Sequence, residues 1–284
     1  MLSDTWLQRS NGRVDGRRRG CFSVLPAGGP PAAWSVGQAT EARGRPGALA
    51  TAPATIVQAM TLAIIPARGG SKGIPRKNLL PIAGKPLIVW TIEQALATDG
   101  LYVVVSTEDA EIAAVSRAAG AEVIRRPIEL AQDTTATEPV VEHAIATLTA
   151  RGERPETVML LQATSPVRLP GTLDRALREF AKSGCDSLVG VVPQTPFLWW
   201  QGDEPRADYP VFARPRRQDL TPDQYRYRET GSLYVTRTEI YQTLHNRLGG
   251  RIRLFVMDDT EGTDIDTPPD FAVAESQLRG MQGR

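Results

Sequence analysis

The chain is poor in the side chains that most often bind metals or form covalent intermediates. Its 284 residues include 2 cysteines and 2 histidines, and Cys21 and Cys185 lie too far apart to form a metal-ligand pair or a disulfide framework. His143 and His245 are equally isolated. These scarcities disfavour zinc enzymes, Cys-His nucleophiles and disulfide-stapled secreted scaffolds, and they favour a reduced, cytoplasmic protein.

A charge excess of one sign and long apolar runs are also missing. Lys and Arg together number 33 and Asp and Glu number 32, a net charge of +1, so no strong field favours nucleic acid or an anionic membrane. No apolar run approaches the roughly 18–20 residues that a membrane helix needs. We therefore expect neither nucleic acid nor a membrane as a partner. Hydrophobic residues make up 41% of the chain, enough for a sizeable core.

Residues 1–59 differ in composition from the rest. They hold 5 Pro, 8 Gly and 7 Arg, and their apolar residues follow no helical or strand period. Such a segment buries too little apolar surface to offset its ordering entropy, so we expect disorder. A targeting peptide, a nucleic-acid-binding tail around Arg17, Arg18 and Arg19, and translation from a misassigned start before Met60 are the alternatives, and the last is preferred. Residues 60–284 then form one catalytic domain.

From Thr61 onward, short apolar strands alternate with helical patterns. Such alternation predicts an α/β fold with a mainly parallel sheet flanked by helices. The predicted strands are Leu62–Pro66, Leu101–Ser106, Glu122–Ile124, Thr157–Leu161, Ser187–Val192, Ser232–Val235 and Arg251–Met257. The predicted helices are Pro86–Ala97, Asp109–Ala119, Pro139–Ala150, Thr172–Lys182, Glu239–His245 and Pro269–Arg279.

Residues 193–230 interrupt this rhythm, being rich in proline and aromatic residues without clear periodicity. Phe197, Leu198, Trp199 and Trp200 would be costly to leave in water. They are expected either to pack back on the core or to form a dimer contact.

The segment after the first strand has the composition of a phosphate-binding loop. Residues 67–78 contain three glycines, and four cations lie within ten residues. Glycines let backbone N–H groups approach a polyanion, and the cations suit a triphosphate. The spacing matches neither the P-loop nor the dinucleotide-binding fingerprint, so a solvated basic turn is the alternative.

Three further segments carry candidate chemistry. Asp264 and Asp266, two residues apart in an extended segment, point to the same side and suit Mg²⁺, although an exposed acidic turn is the alternative. Residues 213–219 (ARPRRQD) form a cationic segment that suits an anionic ligand. A nucleic-acid-binding patch and a solvated surface are the alternatives. Residues 161–168 (LQATSPVR) place hydroxyl and amide groups at the end of a strand. Together with the first loop, these segments indicate phosphoryl or nucleotidyl transfer.

Five motifs in this order resemble those of the CMP-sialic acid synthetases (acylneuraminate cytidylyltransferases). They are IPARGGSK followed by KN over residues 65–78, LLQATSPVR over 160–168, RPRRQD over 214–219, TGSLY over 230–234 and DIDT over 264–267. The resemblance covers about residues 61–280. It implies a Rossmann-like nucleotidyltransferase core with a small dimerisation excursion over residues 193–230, and hence a homodimer active in glycan biosynthesis.

The resemblance also implies roles for single residues. Arg68, Lys72 and Arg216 would act in catalysis, and Arg216 would also face the sugar carboxylate. Asp264 and Asp266 would hold Mg²⁺. The nucleotide would be bound by Arg68, Gly69, Gly70, Ser71, Lys72, Asn78, Arg126, Thr135 and Thr137, and the sugar by Gln162, Arg216 and Tyr234.

The implied reaction is attack by the anomeric hydroxyl of a nine-carbon 2-keto acidic sugar on the α-phosphate of CTP, with release of pyrophosphate. Many relatives have Asn-Gly where this chain has Thr230-Gly231, which bears on the identity of the sugar more than on the reaction. Kdo, pseudaminic acid and legionaminic acid are alternative substrates. A non-catalytic nucleotide- or RNA-binding protein is a more distant alternative, and it gives no reason for paired Asp264 and Asp266.

Overall fold

The structure is a computed structural model, and it describes residues 60–70 and 73–283. The expectations for residues 1–59, and those for Ser71 and Lys72, concern positions outside the described residues. Within the described residues, no helix is both long enough and apolar enough to cross a bilayer.

Eleven strands and six α-helices make up the described fold. The strands are β1 (Thr61–Pro66), β2 (Pro81–Ile82), β3 (Lys85–Pro86), β4 (Leu101–Thr107), β5 (Glu122–Arg125), β6 (Thr157–Leu161), β7 (Ser187–Gln194), β8 (Trp199–Trp200), β9 (Arg206–Ala207), β10 (Arg226–Arg237) and β11 (Ile252–Val256). The helices are α1 (Leu87–Leu96), α2 (Ala110–Ala118), α3 (Thr137–Ala150), α4 (Thr172–Ser183), α5 (Thr238–Leu244) and α6 (Pro268–Gln282).

Seven strands form the central sheet in the order β11-β7-β10-β6-β1-β4-β5. β1 pairs in parallel with β4 and β6, β4 with β5, and β7 with β11. β10 runs antiparallel to both of its neighbours, β6 and β7. The predicted α/β fold with a mainly parallel sheet is confirmed.

The helices cover both faces of the sheet because the strands are apolar on both sides. The buried side chains of Ile65 and Val105 pack toward α1, α2 and α4, whereas those of Ile64 and Val104 pack toward α3 and α5. Full burial of each such side chain stabilises the fold by about 1.5–3 kcal/mol. A third cluster lies between α6, α1 and the β2–β3 hairpin, and it includes the buried Ile265.

β10 is much longer than the predicted strand Ser232–Val235. Its first half is polar and largely exposed, and it is held by pairing between Arg226–Glu229 and Val191–Gln194 of β7. The register of that pairing then shifts between Glu229 and Tyr234. Because it runs antiparallel, β10 enters the sheet at the edge where the parallel strands end.

The excursion over residues 193–230 contains the β8–β9 ribbon as well as the first half of β10. Phe197 packs edge-to-face on Tyr209 at 5.3 Å between ring centroids, and the Arg214 guanidinium lies 4.4 Å from the Phe197 ring. These aromatic contacts are formed within the excursion, while Trp199 and Trp200 remain 55% and 60% exposed.

Candidate active site

A cavity of about 360 Å³ opens at the edge where the parallel strands end. Ligands of open parallel sheets bind beyond the carboxyl ends of the strands, so this is the expected place for a site. We call it the edge cavity. It is lined by Pro66, Arg68, Gly70, Lys77, Asn78, Arg126, Leu130, Gln132, Asp133, Thr135, Ala136, Thr137, Val140, Gln162, Ala163 and Thr164.

Many of the residues expected to bind substrate line this cavity, although they come from four separate segments. Two segments follow β1 and β5, a third enters α3, and the fourth follows β6. The expected residues found here are Arg68, Gly70, Asn78, Arg126, Thr135, Thr137 and Gln162.

Arg68 and Asn78, two polar residues of the first loop, differ in whether their side-chain polar groups have partners. Arg68 forms a 2.6 Å ion pair with Asp133 across the cavity. Asn78 Nδ2 donates to the Arg68 carbonyl at 3.2 Å, but Asn78 Oδ1 is buried without a partner among the described residues. A buried acceptor left unpaired is costly, and it can be satisfied by an N–H or O–H of a ligand.

The side chain of Glu108, which directly follows β4, connects the ends of the three neighbouring strands β1, β4 and β5. Its carboxylate accepts from the Gly69 N–H at 2.7 Å and from Arg126 Nη2 at 2.6 Å. Burial raises the pKa of Glu108, but the hydrogen bonds from Arg126 and Gly69 outweigh it and hold this pKa below its ordinary value. The Arg126 side chain, only 4% exposed, is therefore fixed at the wall of the cavity.

The first loop and the late aspartate segment are in contact. A Cβ on Gly73 would lie 2.3 Å from the Asp266 carbonyl oxygen, so only glycine allows this approach. Lys77, which lines the cavity, donates to the Ile265 carbonyl and lies 3.3 Å from Asp266 Oδ1. The first loop therefore packs directly against the backbone of the segment that contains Asp264 and Asp266.

The two aspartates flank the buried Ile265. Asp264 Oδ1 accepts from the Ser165 hydroxyl at 3.1 Å, and the Asp266 side chain is 77% exposed. The described residues contain no group of three or more His, Cys, Asp or Glu suited to a metal. Neither aspartate is among the residues that line the edge cavity. As a donor set, two carboxylates suit Mg²⁺, because this ion usually takes one or two protein carboxylates and completes its shell with phosphate and water.

Two expected sugar-binding residues lie elsewhere. Arg216 belongs to the excursion, is 73% exposed and pairs with Asp219 at 2.5 Å. The Tyr234 ring is buried in the core beside α5, and its hydroxyl donates to Glu229. The structure brings neither residue to the edge cavity.

Three residues at the site have no role predicted from the sequence. The composition of the first loop marks Lys77 only as one of its four cations. Asp133 and Glu108 had no recognisable motif, although the position of Glu108 directly after β4 marks it as an edge residue.

A family model described as cytidylyltransferase matches residues 62–197, the part of the chain that contains every residue of the edge cavity. The chain is 31% identical over 222 residues to a pseudaminic acid cytidylyltransferase of Campylobacter jejuni, and this match covers 75% of the chain and 94% of that protein. The chain belongs to the CMP-sialic acid synthetase family of cytidylyltransferases. 

Other members of this family are also similar to the chain. An N-acylneuraminate cytidylyltransferase B of Danio rerio is 35% identical over 224 residues, covering 76% of the chain and 51% of that protein. An N-acylneuraminate cytidylyltransferase of Escherichia coli is 30% identical, over 75% of the chain and 51% of that protein. The chain therefore spans about half the length of these two cytidylyltransferases.

Solved structures agree with the family's fold. A CMP:2-keto-3-deoxy-manno-octonic acid synthetase complexed with CTP superposes with a TM-score of 0.59 at 20% identity, covering 79% of the chain and all of that structure. A 4-diphosphocytidyl-2C-methyl-D-erythritol synthase gives a TM-score of 0.56 at 15% identity, over 77% of the chain and 99% of that structure. At these identities the likeness concerns the fold.

Proposed function

We propose that the protein transfers CMP from CTP to the anomeric hydroxyl of a nine-carbon 2-keto acidic sugar of the N-acylneuraminate type. The observation that carries this proposal is the contact between the first loop and the Asp264–Asp266 segment beside the edge cavity. Family membership supports CTP as the nucleotide, since the relatives are named as cytidylyltransferases of N-acylneuraminate and of pseudaminic acid.

The nucleotide is proposed to lie in the edge cavity. Arg68 and Lys72 would face the triphosphate, with backbone N–H groups of Gly70 and Ser71 beside it. Asn78, Arg126, Thr135 and Thr137 would bind the cytidine. The unpaired Asn78 Oδ1 supports this placement, because a ribose hydroxyl or a base N–H would satisfy it.

The nucleotide-binding role expected for Gly69 is revised. Its N–H already donates to Glu108, so this group is not available to a phosphate while that hydrogen bond persists. We propose instead that Gly69 helps to hold Arg126 indirectly, through the carboxylate that both residues share.

The proposed chemical step is an in-line displacement. The anomeric oxygen forms a bond to the α-phosphorus, the bond from that phosphorus to the bridging oxygen breaks, and pyrophosphate leaves with the electron pair. The hydroxyl proton passes to solvent. Mg²⁺ held by Asp264 and Asp266 would neutralise phosphate charge and make the hydroxyl easier to deprotonate. Arg68 and Lys72 would stabilise the charge that builds up on the leaving group.

The acidic sugar is proposed to lie beside Gln162, at the end of β6. Arg216 would orient its carboxylate bidentately. Since Arg216 is exposed on the excursion, it would reach a sugar only through a change in the excursion or from a second subunit. The half-exposed Trp199 and Trp200 on the same excursion support a homodimer. The paucity of cysteine supports a reducing compartment, and we propose the cytoplasm.

A substrate panel tests this function. The protein is incubated with CTP, Mg²⁺ and N-acetylneuraminic, pseudaminic, legionaminic acid or Kdo, and pyrophosphate release and CMP-sugar mass are measured. We expect release with a nine-carbon acid and the mass of its CMP conjugate. Preference for Kdo would revise the sugar, and no release with any of the four would contradict the proposed function.

A further inference from the structure

Arg168 lies behind the wall of the edge cavity rather than in it. It is 2% exposed, and its Nη1 donates to Thr91 Oγ1 at 3.1 Å and to Gln94 Oε1 at 2.9 Å. Nη2 donates to the carbonyls of Gln162 at 3.1 Å and Ser232 at 2.6 Å. All four acceptors are neutral, and Nε has no partner among the described residues.

The buried charge of Arg168 is a poor source of folding stability. Arg168 forms no direct ion pair with any described residue, and burial lowers its pKa to about 9 even though the charge of the buried Glu261 carboxylate opposes that shift. A long apolar side chain would fill the same space without that desolvation. What an apolar side chain cannot do is join two carbonyl oxygens through one donor group.

The two carbonyls belong to facing strands at the site. Gln162 follows β6, and Ser232 lies in β10 within the stretch between Glu229 and Tyr234 where the register shifts. Gly231, in the same irregular stretch, has φ +71°, and a Cβ there would lie 2.7 Å from Gln162 Oε1. The Gln162 amide therefore rests against the Gly231 backbone, and the spacing of the two strands fixes where it sits.

We propose that Arg168 is a positioning residue: its Nη2 joins the Gln162 and Ser232 carbonyls and thereby holds the Gln162 side chain against Gly231 at the cavity wall. This inference rests on the proposed function, in which Gln162 contacts the sugar. Arg168 acts through Gln162 and touches no substrate itself.

A double-mutant cycle tests the inference in the full chain. KM and kcat for CTP and for the sugar are measured for wild type, Arg168→Lys, Arg168→Met, Gln162→Ala and each Arg168 variant combined with Gln162→Ala. Thr91→Val is the matched control, because it removes an acceptor of Nη1 and leaves both Nη2 bonds in place. Thermal unfolding is followed for every variant.

Each Arg168 variant is expected to raise the sugar KM about ten-fold, the size expected for one well-placed hydrogen bond, with the KM for CTP unchanged. In the Gln162→Ala background the same substitutions should change the sugar KM less than about two-fold, since coupled residues are not additive. Thr91→Val should lower the melting temperature without changing the sugar KM.

Multiplicative effects of Arg168 and Gln162, or equal loss for both substrates, would overturn the inference. Failure of both Arg168 variants to fold would also overturn it, because Arg168 would then be required by the fold itself. A wild-type protein inactive with every sugar would instead contradict the proposed function, so the two failures are distinguishable.

Discussion

Replacing Glu108 with glutamine removes the carboxylate shared by Arg126 and the Gly69 N–H. Glutamine has nearly the same shape, but the two donors bind different carboxylate oxygens, and glutamine keeps an oxygen at only one of these two positions. The NH₂ group of the glutamine then faces the other donor, either the Gly69 N–H or the Arg126 guanidinium. The perturbation therefore leaves a buried guanidinium, 4% exposed and already without a partner for Nε, with no ion pair among the described residues.

The expected loss of stability follows from this burial. Removing one partner of a buried ion pair costs about 3–5 kcal/mol, and because the Glu108 side chain is 14% exposed we expect about 3 kcal/mol. For a domain of this size, that loss lowers the melting temperature by about 6–12 °C. Glu111→Gln is the matched control, since Glu111 is 69% exposed and pairs with Arg76 at 2.6 Å. An exposed pair contributes about 0–1 kcal/mol.

Thermal and urea unfolding of both variants provide the measurement, and the pH dependence provides a second signature. The pKa of Glu108 is lower in the folded protein, so its stabilising contribution is complete above its ordinary pKa of about 4.3 and is lost as the pH falls through the folded-state value. The stability gap between wild type and Glu108→Gln should be flat from about pH 5.5 to 8 and shrink under acid. A Glu108→Gln loss no larger than that of Glu111→Gln, or a gap that widens under acid, would refute the reasoning.

Three further substitutions probe the site and the excursion. Arg216→Lys should raise the KM for the acidic sugar and leave that for CTP unchanged in steady-state kinetics, and an unchanged sugar KM would remove Arg216 from the sugar site. Gly231→Ala should destabilise the protein by about 1–2 kcal/mol from backbone strain alone and raise the sugar KM, because its Cβ would displace the Gln162 amide; wild-type values for both would contradict that contact. Phe212→Ser, at a fully exposed aromatic ring, should shift a dimer toward monomer in light scattering if the excursion forms the interface, and an unchanged mass would place the interface elsewhere.

The core of the fold was predictable from the sequence because its strands are short, apolar and separated by helical patterns. β1 and β4 are buried on both sides, so their sequences are continuously apolar. The first half of β10 carried no such signal. Its residues Arg226–Glu229 are largely exposed, and they are extended because β7 offers backbone partners, which is a tertiary effect.

The site was predictable to the extent that its residues follow strand ends. Gln162 and Asn78 lie where the edge of a parallel sheet requires. The resemblance implies that Tyr234 lines the sugar pocket. Strand alternation instead turns its ring into the core cluster that includes Tyr241 of α5. Thr230, where many relatives have Asn, has a buried side chain that donates to the Gly190 carbonyl, and its bearing on the identity of the sugar stays a prediction. Nothing in the local sequence distinguishes an inward from an outward side chain within an irregular register.

The central claim is that the first loop and the Asp264–Asp266 segment act on the same nucleotide through Mg²⁺. Isothermal titration of CTP, with and without Mg²⁺, tests it most directly in wild type, Asp266→Ala and the control Asp259→Ala, which removes a neighbouring exposed carboxylate. We predict that Mg²⁺ tightens CTP binding in wild type and Asp259→Ala, and that Asp266→Ala keeps its fold but loses both this effect and turnover. Mg²⁺-enhanced CTP binding that survives in Asp266→Ala would contradict the account.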